Sequence, residues 1–401
     1  MLRRKFLACA AATLARAAAS PVRIRRLATH KCSVGRRDYL FVEIHTDSGI
    51  TGLGEATVGG RVDIVEQAVT WFEPHLVDKD PSGIEDHWNR HYYDLSRSRE
   101  GMVLMTALSA VDIALWDIEG KRLGQPVSRL CGAAGSRPLR VYYSHWSQDL
   151  KDRSPAALAD LVHKTRADGW NAVKWILYKG SGERERFRRL VAEVEAVRKA
   201  GGADFEFGLE MYETFTVRTA LELARAVAPY KPMFIEEPVW RESPQALAEI
   251  AAKSPVPVAT GEGLLHRYDF RQLLDAHGAQ IIQPDVIHCG GITEIRRIAS
   301  LAETYLVELS PHMWYGPVAH AASIHAVASC RNFLIQEWDG VADSIFTEWT
   351  RGTYPLPKNG TVRPPDKAGL GIEMDFDLLR RKYPYSGQNT GQSMRPPGGR
   401  Q

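Results

Sequence analysis

The sequence predicts an α/β protein: a modified (β/α)8 barrel of the TIM type, with an α+β capping domain that precedes it in the chain. From residue 139 onward, short apolar runs rich in β-forming residues alternate with helical patterns. The preceding part instead carries an antiparallel pattern followed by three helical patterns. Many of the later runs end at an ionisable residue, as expected at the active face of a parallel barrel.

The composition is that of a large globular protein. A chain of 401 residues with 44% hydrophobic residues can bury one large core, or one large and one small core. The net charge of +3, with 25% charged residues of both signs, gives no indication of a nucleic-acid partner. Five scattered cysteines argue against a disulfide framework or a zinc site. No long uncharged apolar run follows residue 20, so no membrane span is expected.

Residues 1–20 form a candidate export signal. Arg3-Arg4-Lys5-Phe6-Leu7 is similar to the centre of a twin-arginine signal, and an alanine-rich stretch follows it. Ala15-Arg16-Ala17 offers a small-residue cleavage site, although Arg16 interrupts the apolar stretch. We expect a periplasmic location. The alternative is a cytoplasmic enzyme with a basic N-terminus.

Residues 21–134 are predicted to form the capping domain. Asp38–His45 and Ile50–Glu55 read as two antiparallel strands joined by a turn. Three helical patterns follow, near 63–77, 83–95 and 102–123. A glycine-containing segment at 132–136 marks the expected domain boundary.

Residues 135–345 are predicted to form the barrel, with eight strands whose ends present ionisable or polar side chains. In chain order these are Ser144, Lys174, Glu210, Glu236, Glu262, Asp285, His312 and Glu337. Segment 346–385 is expected to return to the capping domain. Residues 386–401 are rich in Gly, Pro, Gln and Arg and are expected to be disordered.

Three carboxylates carry the strongest chemical signal. Glu210, Glu236 and Glu262 each follow an apolar run, and they are spaced as successive strand–helix units would be. If neighbouring strands carry them, their like charges converge and need a cation between them. Oxygen ligands alone suit Mg²⁺ better than Mn²⁺ or Ca²⁺. The alternative is a cluster of ion pairs with Lys174.

A candidate general base lies on the following strands. His312 with Asp285 would form a carboxylate–imidazole pair, which sets the tautomer and raises the basicity of the ring. Glu337 is a candidate hydrogen-bonding partner for a substrate oxygen, and we expect this role to be favoured by protonation in an acidic site. Its alternative role is an ion pair at the barrel rim.

Several stretches resemble the mandelate racemase subgroup of the enolase superfamily, and most closely its acid-sugar dehydratases of the galactonate dehydratase type. These stretches are Ser109–Lys121, Phe234–Pro238, Gln283–Asp285, Gly290–Thr293, Pro311-His312 and Lys367–Glu373. The resemblance implies a capping domain, completed by the C-terminal segment, over a modified barrel. It also implies a small-molecule acid sugar as substrate and a homo-oligomer.

The resemblance implies a reaction as well. Mg²⁺ held at the positions of Glu210, Glu236 and Glu262 would bind the substrate carboxylate. His312 with Asp285 would remove the α-proton, and Glu337 would bond an oxygen of the enediolate. Loss of a β-hydroxyl would then give a 2-keto-3-deoxy acid. Substrate specificity would come from loops 30–37 and 57–62 of the capping domain, with Trp314, Tyr315 and Lys174 as further contacts.

Three residues depart from the pattern of the subgroup. Glu210 stands where Asp is usual, and Tyr212 stands where related dehydratases have a His that protonates the leaving hydroxyl. Ile176 replaces the second lysine of a racemase pair, which leaves Lys174. Tyr212 therefore becomes the candidate acid. The alternatives are an epimerase or racemase with Lys174 as second base, and a non-catalytic sugar-acid binding protein.

Overall fold

The computed structural model describes residues 22–35, 37–95, 101–177 and 183–387. The predicted export signal lies outside these residues, as does the predicted disordered tail apart from residues 386 and 387. The described chain has the predicted architecture, an α+β unit followed by a parallel barrel, so the predicted fold class is confirmed. Within the described residues, no helix has the length and apolar character needed to cross a membrane.

The capping domain begins with a three-stranded antiparallel sheet in the order β1 (Ile24–Val34), β2 (Arg37–Thr46) and β3 (Thr51–Glu55). The central strand β2 is buried on both faces. Leu40, Val42 and Ile44 pack into the core of the capping domain. Tyr39 and Phe41, on the other face, join the large core that includes the barrel. One strand therefore contributes to both hydrophobic cores.

Four helices complete this part of the chain. They are α1 (Val62–Leu76), α2 (Ile84–Asn89), α3 (Met102–Leu123) and α4 (Val127–Leu130), with a π-helical turn at Arg90–Asp94. The long helix α3 is buried along most of its length and packs on β3. This close approach requires glycine, because a Cβ on Gly52 or Gly54 would collide with backbone carbonyl oxygens of α3.

Eight short parallel strands form the barrel of the described chain. They are β4 (Leu139–Tyr143), β5 (Ala172–Ile176), β6 (Glu206–Glu210), β7 (Phe234–Glu236), β8 (Val258–Thr260), β9 (Ile281–Ile282), β10 (Glu308–Leu309) and β11 (Gln336–Trp338). The last strand, β11, pairs in parallel with β4. Leu309 forms a parallel bridge with Phe333 just before β11, which closes the ring.

Helices alternate with these strands. They are α5 (Pro155–Ala167), α6 (Glu183–Gly201), α7 (Val217–Val227), α8 (Pro244–Lys253), α9 (Arg267–Asp275), α10 (Gly291–Thr304) and α11 (Pro317–Val327). Short 3₁₀ turns lie at Ala228–Tyr230 and Gly340–Ala342.

The predicted ring of strand ends needs correction. Lys174 is the third residue of β5 and Glu337 the second of β11, so both lie inside their strands. Strands β9 and β10 are two residues long, and Asp285 and His312 follow them in loops that are joined by a single bridge.

The C-terminal segment contains α12 (Asp343–Trp349), β12 (Thr361–Val362) and α13 (Phe376–Lys382). Strand β12 pairs antiparallel with β4. Beyond it, the ring of Phe376 stacks on that of His30 at 3.7 Å, and the carbonyl of Tyr383 accepts a hydrogen bond from Ser33 N. The segment thus contacts the barrel first and the sheet of the capping domain afterwards.

Buried acids fasten the capping domain to the barrel. The Glu55 carboxylate, at the end of β3, accepts hydrogen bonds from Gly316 N at 2.7 Å and Ala319 N at 3.0 Å, at the N-terminus of α11. Asp112 of α3 accepts from Thr293 N at 3.0 Å in the first turn of α10. Backbone N–H groups at helix N-termini lack intrahelical partners, so these carboxylates satisfy donors that would otherwise be buried and unpaired.

We therefore expect Glu55→Ala to destabilise the fold. Removal of the carboxylate leaves two buried N–H groups unpaired, which should lower the free energy of unfolding by about 2–4 kcal/mol. Glu55→Gln, which retains one acceptor oxygen, should lose less. Urea denaturation followed by far-UV circular dichroism measures both, with Glu249→Ala as control because Glu249 pairs with Lys253 on the surface. Equal effects of Glu55→Ala and Glu249→Ala would contradict the anchoring role.

Candidate active site

Three carboxylates meet at the mouth of the barrel. Glu210 ends β6, Glu236 ends β7, and Glu262 follows β8 by two residues. Glu210 and Glu236 are direct register partners on neighbouring strands. One carboxylate oxygen from each of the three residues lies within 4.8 Å of the others. The structure thus brings together the three residues that the sequence predicts as metal ligands.

The close packing of these carboxylates disfavours their ionised forms. Burial, together with the nearby charge of Glu236, raises the pKa of Glu210 well above its ordinary value. Burial and Glu236 also raise the pKa of Glu262, although His312 opposes the shift. A carboxylate cluster in which Glu210 and Glu262 resist ionisation gains stability from a cation placed between its members.

Lys174 supplies part of that positive charge. Its ammonium forms an ion pair with Glu236 and lies 2.9 Å from Glu337 Oε1 and 3.4 Å from Glu210 Oε2. Burial lowers the pKa of Lys174, but Glu236 and Glu337 outweigh this and hold it well above the ordinary value. The predicted alternative, a cluster of ion pairs with Lys174, therefore also matches these contacts. One ammonium does not balance the three carboxylates around it.

Neighbouring groups orient the candidate ligands. Gln283 Nε2 donates to Glu236 Oε2 at 2.5 Å, and the backbone N–H of Tyr212 donates to Glu210 Oε1 at 2.7 Å. The adjacent Glu237 accepts instead from Thr260 and from Gly261 N, so it belongs to a separate hydrogen-bond network. An all-oxygen donor set held in this way fits a hard divalent cation.

His312 and Asp285 form the predicted pair. His312 Nδ1 lies 2.6 Å from Asp285 Oδ2, while Asp285 Oδ1 accepts from Ile287 N at 2.8 Å. The other ring nitrogen, Nε2, lies 3.5 Å from Glu262 Oε2. Burial lowers the pKa of His312, but the charges of Glu262, Glu337 and Asp285 raise it to about 10. The imidazole therefore faces the carboxylate cluster with Nε2.

Glu337 differs from the sequence-based expectation. Its Oε1 accepts from Ser144 Oγ at 2.5 Å and its Oε2 from Met313 N at 3.0 Å. Burial would raise the pKa of Glu337, yet Lys174 and His312 outweigh it and lower the pKa to about 2. The protonation expected to favour its hydrogen-bonding role is therefore not found, and the carboxylate instead forms an ion pair with the ammonium of Lys174, a contact that the sequence did not show.

Tyr212 and Trp314 flank the site. Tyr212 follows Glu210 with a left-handed backbone, φ +52°, and its side chain is 42% exposed. Burial of the hydroxyl, with the charges of Glu262 and Glu210, raises the pKa of Tyr212, so the phenol keeps its proton at neutral pH. Trp314 packs against Arg37 of the capping domain, whose guanidinium carbon lies 4.3 Å from the ring centroid.

Sequence reasoning did not assign a role to three neighbouring residues. Ser144 was recognised only as a strand end, whereas its hydroxyl bridges Glu337 and His145. His145 lies one residue beyond that strand end. Gln283 lies two residues before Asp285 within a quoted motif. Their closeness in sequence to predicted site residues was the available signal. Their contacts, however, are made to residues on other strands, and sequence spacing does not show such contacts.

Two family models match the chain. Residues 157–378 match "Enolase C-terminal domain-like", and residues 12–132 match the "Mandelate racemase / muconate lactonizing enzyme, N-terminal domain". The chain belongs to the mandelate racemase/muconate lactonizing enzyme family of the enolase superfamily. The first match corresponds to the barrel with its C-terminal segment and the second to the capping domain. The resemblance of the sequence motifs to this family is therefore confirmed.

Members of this family resemble the chain over nearly its full length. D-galactonate dehydratase of Ralstonia pickettii (strain 12J) is 36% identical over 367 residues, 89% of this chain and 94% of that protein. D-galactonate dehydratase of Xanthomonas oryzae pv. oryzae (strain PXO99A) is 35% identical, covering 90% and 94%. The crystal structure of a mandelate racemase/muconate lactonizing enzyme from Sulfitobacter sp. superposes with a TM-score of 0.83 at 30% identity, covering 92% and 96%.

The geometry predicts pH-dependent cation binding. Because the pKa values of Glu210 and Glu262 are raised, protons compete with a cation for their oxygens. Affinity for Mg²⁺ should therefore rise with pH, by up to about tenfold per pH unit for each proton released. Isothermal titration calorimetry in buffers of different ionisation enthalpy measures affinity and proton release together.

The same titration tests the ligand geometry. Glu210→Asp withdraws the carboxylate by about 1.5 Å, one C–C bond, and should weaken Mg²⁺ binding about tenfold or more. Glu222→Asp is the control, since Glu222 pairs with Arg218 on the surface. Unchanged Mg²⁺ affinity in Glu210→Asp, or binding without proton release, would argue against the carboxylate cluster as the cation site.

Proposed function

We propose that the protein is a Mg²⁺-dependent acid-sugar dehydratase, a hydro-lyase that removes the α-proton of a sugar acid and then eliminates the β-hydroxyl. The observation that carries this proposal is the position of His312, whose Nε2 lies 3.5 Å from the carboxylate cluster while Asp285 holds Nδ1. The D-galactonate dehydratases at 35–36% identity support the same class of reaction.

The chemical difficulty is the weak acidity of a proton next to a carboxylate. Mg²⁺ held by Glu210, Glu236 and Glu262 would neutralise the substrate carboxylate and stabilise the charge that develops on it. Lys174 lies against Glu236 and Glu337 and adds a second positive charge to this region. The cluster thus provides the electrostatic part of the reaction.

His312 performs the proton transfer. Asp285 keeps the Nδ1 proton in place, so Nε2 is the nitrogen that accepts the α-proton. The high pKa of His312 arises from Glu262 and the other acids around it, so the ring becomes a usable base when the charge of Glu262 is balanced. A base with a pKa nearer to neutrality transfers protons in both directions most readily.

The second half-reaction needs a proton for the leaving hydroxyl. Two groups can donate it, the imidazolium of His312 and the phenol of Tyr212. The raised pKa of Tyr212 makes it the weaker acid. We therefore favour return of the abstracted proton from His312, so that the α-proton leaves with the β-hydroxyl as water. The resulting enol then tautomerises to the 2-keto-3-deoxy acid.

Incubation with a library of six-carbon and five-carbon acid sugars in D₂O tests the reaction class. We expect one or a few members to give a keto acid, detected with semicarbazide, because abstraction of the α-proton is followed by loss of the β-hydroxyl. Deuterium at C2 without a keto acid would show an epimerase or racemase instead. Binding without either change would show a sugar-acid binding protein.

The base is tested by His312→Asn. This change keeps a hydrogen-bonding side chain next to Asp285 but removes the group that accepts the α-proton, so kcat should fall at least about 10²-fold. His163→Asn on the exposed face of α5 is the matched control. Turnover by His312→Asn at the rate of the control would exclude His312 as the base.

The homo-oligomeric state and the periplasmic location stay predictions from the sequence.

A further inference from the structure

Four side chains beside the proposed catalytic residues have no role in the proposed reaction. This group, the rim cluster, consists of Arg37, His145, Trp314 and Asp339. Trp314 lies two residues after His312, Asp339 lies two after Glu337, and His145 directly follows Ser144. Arg37 comes from β2 of the capping domain. The cluster therefore borders the site on the side of β4, β10 and β11, where the two domains meet.

The hydrogen bonds of His145 set its tautomer. Glu337 is ionised and can only accept, so the Ser144 hydroxyl donates its proton to Glu337 Oε1 at 2.5 Å. The oxygen of Ser144 is then the acceptor for His145 Nδ1–H at 2.9 Å. The proton of the neutral ring thus resides on Nδ1. Nε2 keeps a lone pair and is ready to accept a hydrogen bond.

The position of His145 is also conformationally unusual. Its backbone has φ +55°, in the left-handed region that non-glycine residues seldom adopt. Such a conformation persists where the surroundings hold the residue in place. The residue is half-buried, and within the described chain Nε2 has no hydrogen-bond partner.

Two more polar atoms of the cluster lack partners. Trp314 Nε1 and Asp339 Oδ1 are both buried without a hydrogen bond among the described residues. The Trp314 ring lies 5.8 Å from that of His145, measured between centroids. Buried donors and acceptors are normally paired, so these two atoms, beside the unused acceptor of His145, indicate a ligand that offers both donors and acceptors. Alcohol hydroxyls do so.

The charge of the cluster disfavours a second carboxylate. Asp339 is fully buried and forms an ion pair with the guanidinium of Arg37, which neutralises that cation. Burial lowers the pKa of His145 to about 4, so its ring carries no charge at neutral pH. A carboxylate placed here would meet an acceptor nitrogen and an already paired arginine.

We propose that the rim cluster is the subsite for the hydroxylated tail of the substrate, where His145 Nε2 accepts a hydrogen bond from a tail hydroxyl, so that the enzyme selects an aldonate over the aldarate of the same configuration. This inference rests on the proposed function, because it takes the substrate carboxylate to lie at the Glu210–Glu236–Glu262 cluster. The tail then extends away from the metal ligands toward Trp314.

Binding in the presence of Mg²⁺ tests the subsite. The probes are six-carbon aldonates, each with its matching aldarate, and the tail-deoxy analogues of the aldonate that wild-type protein binds most tightly. Wild-type protein should bind that aldonate at least about tenfold more tightly than its aldarate, because the rim cluster has no charge to offer the second carboxylate. Equal or tighter binding of the aldarate would overturn the proposal.

Variants of His145 identify the contact. His145→Phe should raise the Kd for the aldonate about tenfold, and His145→Gln, which restores an acceptor, should recover most of the loss. One tail-deoxy analogue should bind wild type and His145→Phe equally, since it lacks the hydroxyl in question. The loss should appear mainly in Kd and KM and to a smaller extent in kcat.

The matched control is His277→Phe, because His277 has the same backbone φ of +55° but is exposed and lies before β9, at the opposite end of the barrel. Mg²⁺ affinity and circular dichroism verify that each variant folds. His145→Phe binding the aldonate as the control does would overturn the assignment.

The two proposals fail separately. Aldonate binding that depends on His145 without any turnover contradicts only the dehydratase. Turnover that is indifferent to His145 contradicts only the subsite. Wild-type protein that binds no acid sugar contradicts both.

Discussion

Repulsion among three closely packed carboxylates is the constraint on which the rest of this site depends. Glu210, Glu236 and Glu262 are brought together because adjacent parallel strands end at one face of the barrel. Lys174 relieves the repulsion only in part. The surrounding hydrogen bonds, from Gln283 and from the backbone of Tyr212, hold the carboxylates in place. Such a cluster is costly unless a cation completes it, which explains why the site is so heavily supported.

The barrel places chemically similar acids in different environments. Glu210 lies beside another carboxylate, and its pKa is raised; Glu337 lies against an ammonium, and its pKa is lowered to about 2. Asp285 is committed to His312. The position of each acid on the ring of strand ends, rather than its residue type, thus determines its candidate role: Glu210 as a cation ligand, Glu337 as a hydrogen-bond acceptor and Asp285 as the partner of a base. This separation of roles by environment is what a multistep proton transfer requires.

The capping domain is joined to this chemistry at two levels. Glu55 and Asp112 satisfy backbone donors at the N-termini of barrel helices, which fixes the domain in one orientation. Arg37 of the same domain contacts Trp314 and Asp339 near the candidate catalytic residues. Because β2 contributes to both hydrophobic cores, a shift of the capping domain would disturb both packing and the rim of the site.

The linear sequence was sufficient for the architecture and for the convergence of the three acids. Hydrophobic periodicity and the spacing of acids at strand ends are local properties, and the rules of parallel barrels bring strand ends together. The tertiary structure alone decided the ionisation of Glu337, the short pairing of β9 and β10, and the tautomer of His145. Each depends on a neighbour contributed by another strand, such as Lys174 or Ser144. Hydrophobic periodicity is a property of neighbouring residues along the chain, so the strands and helices could be predicted from it. Electrostatic interactions depend on distances between residues that are remote in sequence, so the ionisation and tautomer of individual side chains could not.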